Sequence, residues 1–372
     1  MNIDRVKIKN FKSLVDVDLK LNNLTVITGV NSSGKSSFIQ SLLLFKENIV
    51  NIFFEINFKK YTKNPSSKQI SFNGTYVNMG DTKMLLSQES SSDLMMFEIA
   101  KNEDILEISI DKNNNIIYNE SSNLEMFRAF NDDNFDYLST DRTPPALIFP
   151  FSKDINNNSI GIKGEYATHF LAEHKHQKLE INKLKHPDSQ TSQLLENTEK
   201  WLGEISSGVL LKPSADVSTQ SSKLVYQYTY KDTTSSEYSS LNVGFGLTYV
   251  LPVIVLILKS KPNDLIIIEN PESHLHPAGQ SKIAELCAIA CANGVQIIIE
   301  THSDHFINGI RVATKQEIIK SNQSQIYYFR KDKNELETKI DEINIDENGK
   351  IDNWPKGFFD EFDNQLDKLI QW

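Results

Sequence analysis

The sequence contains little cysteine and no long hydrophobic run. Its two cysteines, Cys287 and Cys291, stand in an alanine-rich segment without further metal ligands in sequence reach. This pattern favours small buried side chains in a reducing compartment. The longest apolar stretch, VLPVIVLIL at 250–258, is about half of the roughly 20 residues that a membrane-spanning helix needs. No basic and then apolar leader opens the chain, so we expect a cytoplasmic protein with no membrane segment.

Positive charge is also scarce: the sequence has 39 lysines and arginines against 49 aspartates and glutamates, which gives a net charge of -10. This balance argues against a protein that coats nucleic acid through bulk charge. One basic segment stands out, HKHQKLEINKLKH at 174–186. We interpret it as a solvated helix face, with a nucleic-acid or partner contact as the alternative. Arg142, in STDRTPP, is predicted to face a nucleic acid or an effector, and the alternative is a structural ion pair.

Hydrophobic periodicity predicts an α/β protein. Alternating apolar residues predict two strands joined at NFKS, residues 10–13, and the continuous LTVIT at 24–28 predicts a strand buried on both faces. After residue 240, helices and strands alternate, which is typical of a parallel sheet with helices on both faces. The other predicted elements are a helix from residue 35, strands at 70–77, 94–100, 105–110, 223–230, 264–269, 295–300 and 325–330, and helices at 164–202, 246–259, 278–293 and 304–314.

A glycine-rich loop follows the buried strand. Residues 29–36, GVNSSGKS, fit the pattern G-x-x-x-x-G-K-[ST] between a predicted strand and a predicted helix. The glycines let the backbone curl so that successive amides and the helix N-terminus point at phosphate oxygens. Lys35 is expected to reach the β- and γ-phosphates, and Ser36 to ligate Mg²⁺. The candidate phosphate-binding residues are Gly29, Asn31, Ser32, Ser33, Gly34, Lys35, Ser36 and Ser37.

Two further strands end in residues that suit nucleotide chemistry. Glu269 ends the strand 264–269, at the strand end where open α/β sheets bind ligands, and can hold the water shell of a metal ion. Hydrolysis also needs a group that accepts a proton from water or orients it. Asn270 cannot accept the proton, which leaves Glu272 as the nearest acid, unless Glu272 only starts the next helix. His302, in THS, is expected to contact the γ-phosphate, and a structural role is the alternative.

A glycine pair precedes the long apolar helix, in LNVGFGL at 241–247. Glycines at a helix start allow an anion to approach the exposed amides and the positive end of the helix dipole. Asn242, Gly244 and Gly246 are therefore candidate nucleotide-binding residues. An ordinary turn is the alternative.

Together, these motifs resemble an ABC-class ATPase head of the kind shared by SMC proteins, RecF-type repair proteins and OLD-family nucleases. The resemblance lies in residues 3–44 with the glycine loop, in IIIENPESHLHPAGQSKIAELC, in IIIETHSDHF and in NVGFGLTYVLPVI. More narrowly, ENPESHLHP, NVGFG, YLSTDRTPP, GIKGEYATHFLAE and NWPKGFF resemble a bacterial AAA-type ATPase family of unassigned function that is often found among phage-defence genes.

The resemblance implies a fold with a central, mostly parallel sheet, an N-terminal antiparallel β subdomain and an inserted, mainly helical region. The implied division is an N-terminal part of the head at 1–110, a β/helical insert at 111–240, a C-terminal part of the head at 241–330 and a tail at 331–372. It also implies that the chain binds ATP and Mg²⁺ and forms a homodimer, because the signature segment of this class caps the nucleotide of the opposite subunit.

Carried over to this sequence, Lys35 and Ser36 bind phosphate and Mg²⁺, Glu269 takes the Walker B metal position and His302 the switch position. Asn242, Gly244 and Gly246 match the signature. Gln88 or Asp81 would serve in the Q-loop. The class usually has aspartate then glutamate where this chain has Glu269 then Asn270, so we expect slow turnover.

The expected function is that of a dimeric ATPase that regulates a separately encoded effector, such as a nuclease, in anti-phage defence. The tail after Ser303 is too short for the Toprim nuclease domain of the OLD type, so cutting of nucleic acid would need another protein. Two alternatives remain open. One is an ATP-gated sensor or scaffold with negligible hydrolysis, and the other is a housekeeping DNA-repair ATPase of the RecF kind.

Overall fold

The computed structural model describes residues 3–56, 60–63, 70–90, 92–111, 113–120, 125–152, 158–231, 233–333 and 335–370. The chain divides into two compact units, each drawn from separate stretches of sequence. The first unit contains Met1–Asn131, Ser324–Asp346 and Ile351–Trp372, and the second contains Asp132–Gln323 and Glu347–Lys350.

The strands are β1 Arg5–Phe11, β2 Leu14–Lys20, β3 Leu24–Gly29, β4 Phe53–Ile56, β5 Lys60–Lys63, β6 Leu94–Lys101, β7 Asp104–Asp111, β8 Ile116–Glu120, β9 Phe135–Leu138, β10 Phe149–Pro150, β11 Val209–Asp216, β12 Ser221–Tyr230, β13 Thr233–Thr234, β14 Tyr238–Ser239, β15 Leu265–Glu269, β16 Gln296–Glu300, β17 Ser324–Arg330 and β18 Lys339–Ile343. The α-helices are α1 Lys35–Ile52, α2 Ala167–His174, α3 Leu194–Gly203, α4 Phe245–Leu258, α5 Pro277–Ala292, α6 Asp304–Lys315 and α7 Glu361–Ile370.

The first unit combines antiparallel and parallel strands. Its antiparallel sheet has the order β2-β1-β6-β7-β8, which is the predicted N-terminal β subdomain. Strand β3 pairs in parallel with β17, and β18 pairs with β17 in the antiparallel direction. Leu24, Val26 and Ile27 of β3 are fully buried, because both faces of the strand are covered. The chain leaves β3 at Gly29 and enters α1 at Lys35.

In the second unit, β9, β15 and β16 run parallel to one another. Their register places Tyr137 and Ile298 on either side of Ile267, and Glu269 beside Glu300. Helix α4 is buried from Val250 to Leu258, which explains its continuous apolar sequence. An antiparallel sheet β10-β12-β11 lies in the same unit. The predicted α/β class, with a mostly parallel sheet and an antiparallel N-terminal part, is confirmed.

Most predicted elements agree with the structure, and two do not. Residues 70–77 form no strand, since Gly74 N–H donates to the Val77 carbonyl in a turn and Asn73 and Asn78 make only an isolated bridge. Ile70, Phe72 and Val77 are nevertheless buried, so the alternation that suggested a strand reflects packing. The predicted helix at 164–202 is two helices, α2 and α3, separated by the mostly irregular residues 175–193. Apart from His174, the basic stretch 174–186 lies in this segment, so its interpretation as a helix face is wrong, although its lysines are exposed.

Both cysteines are fully buried in α5, as expected, and burial raises the pKa of each thiol. None of the helices that the structure describes combines the length and the apolar character needed to cross a bilayer.

Candidate nucleotide-binding site

The loop after β3 has a conformation that requires glycine at two positions. Gly29 has φ +140° and Gly34 has φ +106°, in the left-handed region that side chains disfavour. A Cβ added to Gly29 would lie 2.0 Å from the Phe329 carbonyl oxygen. One added to Gly34 would lie 2.4 Å from Thr338 Oγ1. The loop therefore packs closely against Phe329 and Thr338 of the first unit, with no room for a side chain at either glycine.

Lys35 is buried in this loop, with 4% of its surface exposed. Its Nζ donates to the carbonyl oxygens of Gly29 at 3.0 Å and Val30 at 2.9 Å. These bonds hold the ammonium group inside the curl of the loop. Asn31, Ser32 and Ser36 are exposed.

A cleft of about 310 Å³ opens beside the loop. Three lysines, Lys12, Lys35 and Lys331, line it together with serine residues and Gly34; the serines are Ser13, Ser32, Ser33, Ser36 and Ser37. Because lysine ammonium groups and backbone amides at a helix N-terminus attract anions, the cleft suits a polyphosphate. The sequence pattern had not indicated Lys12 or Lys331. Lys12 lies in the NFKS turn between β1 and β2, where sequence reasoning saw only a connection.

The Q-loop candidates lie in the segment that precedes β6. Ser87 N–H donates to the Asn10 carbonyl at 2.9 Å, and Lys12 N–H donates to the Leu85 carbonyl at 2.7 Å. Residues 85–87 therefore run beside the turn that supplies Lys12 to the cleft. This places Gln88 next to that turn, whereas Asp81 accepts a hydrogen bond from the Lys83 amide in its own turn. The choice between Gln88 and Asp81 stays a prediction.

In the second unit, two hydroxyl groups hold the Glu269 carboxylate. Tyr137 Oη donates to Glu269 Oε1 at 2.7 Å, and Thr140 Oγ1 donates to Glu269 Oε2 at 2.9 Å. Burial, together with the Glu269 charge, raises the pKa of the Tyr137 hydroxyl, so Tyr137 remains a donor. Glu269 is thus a carboxylate held in one orientation at the end of β15.

The turn after Glu269 is fixed by a buried arginine. Arg142 is 1% exposed, and its guanidinium donates to the carbonyl oxygens of Asn270 at 3.0 Å and Glu269 at 2.5 Å. Burial lowers its pKa to about 10. The prediction that Arg142 faces a nucleic acid or effector is therefore wrong. The alternative, a structural ion pair, was partly right. Arg142 has a structural role, but its hydrogen-bond partners are main-chain carbonyls.

Glu272 is buried beside the end of β16. It is 8% exposed, and its Oε1 accepts a hydrogen bond from the His302 amide at 2.9 Å. The Thr301 side chain also hydrogen-bonds to this carboxylate, while burial raises its pKa. Oε2 has no hydrogen-bond partner among the residues that the structure describes. Helix α5 begins only at Pro277, so the alternative in which Glu272 starts that helix does not hold.

His302 has an exposed side chain just beyond β16. The next residue, Ser303, caps α6, because its Oγ accepts a hydrogen bond from the Phe306 amide at 2.9 Å. The backbone around His302 is thus fixed by Glu272 on one side and by the helix cap on the other. Its imidazole is accessible at the strand end, which is compatible with the predicted contact to an anion.

The signature candidates surround the start of α4. Asn242 Oδ1 accepts a hydrogen bond from Ser239 Oγ at 2.8 Å, and Gly244 is the N-cap of the helix. Gly246 packs against the following turn, since a Cβ added there would lie 2.4 Å from the His274 carbonyl oxygen. Beside these residues, Leu241 is 54% exposed and Phe245 is 45% exposed. The helix start therefore presents an accessible surface that is partly apolar.

Comparison with known families identifies the chain. The family model described as AAA domain, putative AbiEii toxin, Type IV TA system matches residues 24–308, and this range includes the glycine loop, β15 and β16. The chain belongs to this AAA-domain family. A second model, described as protein of unknown function (DUF3696), matches residues 319–369. No curated protein matches the chain.

Two solved structures share the fold of this AAA-family chain. The SmcHead bound to the C-winged helix domain of ScpA is 13% identical, with 92% of this chain and 98% of that chain covered and a TM-score of 0.57. The Smc head domain with an extended coiled coil, bound to the C-terminal domain of ScpA derived from Pyrococcus furiosus, is 11% identical, with 99% of each chain covered and a TM-score of 0.55. At these identities the likeness shows the fold, and it confirms the resemblance to SMC-type ATPase heads.

Proposed function

We propose that this AAA-family chain is an ABC-class ATPase that binds ATP, pairs with a second copy and regulates a separately encoded effector. The observation that carries this proposal is the loop at 29–36, curled around a buried Lys35 and lining a lysine-rich cleft. Such a loop is built to hold phosphate groups. The SMC-like fold supports the same assignment.

The residues present fit a magnesium-bound triphosphate. In this proposal, backbone amides of the loop and Lys35 hold the phosphates, and the metal-ligand roles of Ser36 and Glu269 are those that the resemblance to ABC-class heads assigns. When bound, Mg²⁺ would neutralise charge on the phosphate oxygens. Ser36 is exposed at the first turn of α1 and Glu269 is fixed by two hydroxyl donors, so both oxygens suit a hard cation.

Glu272 is the proposed group that accepts a proton from the attacking water or orients it. Its carboxylate is buried and its pKa is raised, which makes it a stronger base than an exposed glutamate. His302 is the proposed contact to the γ-phosphate. Because the Glu272 carboxylate accepts a hydrogen bond from the His302 amide, a displacement of either residue would also move the other.

The alternative function is an ATP-gated sensor or scaffold that hydrolyses little ATP. It is favoured by Asn270, which follows Glu269 and carries an amide that cannot act as a base. A housekeeping repair ATPase of the RecF kind is a further candidate, supported by the shared head fold alone.

The partner assignments rest on the relatives. The family description names a putative toxin of a Type IV TA system, which supports a role in defence alongside another protein. The solved SMC heads are bound to ScpA, which supports docking of a separate protein on a head of this fold. We assign a nuclease as the effector class, and a nucleic acid as a possible ligand of the exposed lysines Lys175, Lys178, Lys183 and Lys185.

Two substitutions separate binding from hydrolysis. Lys35→Ala should weaken ATP affinity about 10- to 100-fold, since charged hydrogen bonds to phosphate are lost. Glu272→Gln should keep ATP affinity and lower the rate of phosphate release about 100- to 10,000-fold. Calorimetry with a non-hydrolysable ATP analogue and a steady-state phosphate assay measure the two effects.

Matched controls are Lys20→Ala on an exposed end of β2 and Glu285→Gln on α5, and both should behave as wild type. Stable ATP occupancy without phosphate release in the wild-type protein would support the sensor alternative. A wild-type protein that binds no ATP would contradict both functions.

A further inference from the structure

The Glu269 carboxylate is oriented by residues far away in the sequence. Tyr137 belongs to β9 and Thr140 to the loop that follows it, and the parallel pairing of β9 with β15 sets Tyr137 beside Ile267. From there, one hydroxyl reaches each carboxylate oxygen, at 2.7 Å and 2.9 Å. Two donors on two oxygens remove the rotational freedom of the carboxylate.

Asn270 completes this arrangement through its side-chain amide. Its Nδ2 donates to Thr140 Oγ1 at 3.2 Å. The Thr140 hydroxyl has a single proton. Because its oxygen accepts a hydrogen bond from Asn270, that proton is directed towards Glu269. Asn270 adopts φ +45°, a conformation that asparagine tolerates well, and its backbone N–H donates to the Glu300 carbonyl at 2.7 Å. A carboxylate side chain at this position has no proton to donate to Thr140.

We propose that Tyr137 and Thr140 are positioning residues for the magnesium-bound nucleotide, acting through Glu269, and that Asn270 serves as the donor that orients Thr140. This inference rests on the proposed ATPase function. It assigns a role to the amide that replaces the usual acid: Asn270 supports the metal-associated carboxylate instead of taking part in proton transfer. Tyr137 and Thr140 of the YLSTDR stretch are then part of the nucleotide machinery.

The decisive variant is Thr140→Val, which removes one hydroxyl from an exposed side chain of similar shape. It should lower kcat about tenfold or more and leave the KM for ATP within about twofold, as loss of a residue that orients a metal ligand typically does. Thr140→Ser keeps the hydroxyl and should recover most of the activity. Ser139→Ala is the matched control and should change neither value, because Ser139 Oγ donates to the Asp141 carbonyl and to no other group among the described residues.

A binding measurement tests the same point without turnover. The Mg²⁺ concentration that gives half-maximal binding of a non-hydrolysable ATP analogue should rise about tenfold or more in Thr140→Val and in Tyr137→Phe. Analogue binding without Mg²⁺ should not change. Asn270→Asp, which loses the donor, should resemble Thr140→Val, and all variants should unfold at the temperature of the wild type within a few degrees.

The outcomes separate this inference from the proposed function. If the wild type releases phosphate and Thr140→Val and Tyr137→Phe match it in kcat and in Mg²⁺ requirement, the positioning role is wrong while the ATPase remains. If the wild type releases no phosphate but the variants need more Mg²⁺ than the wild type to bind the analogue, the positioning role holds. In that case the proposed hydrolysis of ATP is wrong. Analogue binding that is indifferent to Mg²⁺ in the wild type overturns both.

Discussion

A single buried guanidinium fixes the turn in which the two proposed catalytic acids, Glu269 and Glu272, lie. Arg142 donates to two successive carbonyl oxygens, those of Glu269 and Asn270, and the Ser273 amide also donates to the Asn270 carbonyl at 3.2 Å. Burial of the charge is unfavourable, as its lowered pKa records. The nearby carboxylates of Glu269 and Glu272 partly offset this effect. The residue therefore stabilises the backbone geometry that Glu269 and Glu272 share.

Arg142→Met should lower the free energy of unfolding on the order of 2–5 kcal/mol, because it removes two hydrogen bonds from a charged donor, each of which contributes about 1.5–3 kcal/mol. The control is Arg5→Met. Arg5 pairs with Asp18 at the surface, where an ion pair contributes about 1 kcal/mol or less. Urea unfolding followed by circular dichroism measures both. Equal losses for the two variants would show that the Arg142 contacts do not stabilise the turn.

At the residue scale, sequence reasoning identified the polar side chains at the ends of strands. It missed the side chains that hydrogen-bond to them and fix their orientation. Glu269, Glu272 and His302 follow apolar strands, and this position can be read directly from the chain. Tyr137 and Thr140 lie about 130 residues before Glu269. Only the pairing of β9 with β15 brings them together, and no local pattern in YLSTDR encodes that pairing.

At the scale of elements, continuous apolar runs were predicted well and alternating segments less so. Strand β3 is buried from Leu24 to Thr28 and helix α4 from Val250 to Leu258, so their sequences leave few alternatives. Residues 70–77 alternate between polar and apolar residues as a strand does. Their backbone pairs with a side chain of α1 instead of a neighbouring strand: Asn48 Nδ2 donates to the Ser71 carbonyl, and the Ser71 amide donates to Asn48 Oδ1. Residues 175–193 have polar and apolar residues at helical spacing, but the segment forms a short 3-10 helix at Asn182–Leu184 and an isolated bridge between Lys178 and Gln193.

The start of α4 offers a test in which two glycines of one motif behave differently. Gly246→Ala should destabilise the protein by about 1–3 kcal/mol, because the new Cβ would meet the backbone oxygen of His274 at 2.4 Å and the helix must shift. Gly244→Ala meets nothing within 4 Å and should cost less than about 1 kcal/mol at an N-cap. Thermal unfolding of the two variants gives the comparison.

A second measurement on this pair concerns function. If the signature contacts a nucleotide held by another copy, Gly244→Ala should reduce phosphate release while its stability stays close to that of the wild type. Unchanged release in Gly244→Ala would remove this residue from the nucleotide-binding set.

At the scale of the whole molecule, two features bear on association. Each copy has a net charge of -10, so two copies repel each other at low ionic strength, and moderate salt should screen this repulsion and favour association. The start of α4 meanwhile exposes apolar side chains beside the signature residues. Apolar surface next to a proposed ligand site is typical of an interaction surface.

We therefore expect nucleotide-dependent pairing. The protein should be monomeric without nucleotide and dimeric with Mg²⁺ and a non-hydrolysable ATP analogue, and Lys35→Ala should stay monomeric. Leu241→Glu should bind the analogue normally but fail to pair, because the proposed interface would bury an unpaired charge. Val217→Glu is the matched control, since Val217 is 73% exposed in the same unit and lies outside the signature. Sedimentation velocity distinguishes these states, and a dimer that survives Leu241→Glu would place the interface elsewhere on the molecule.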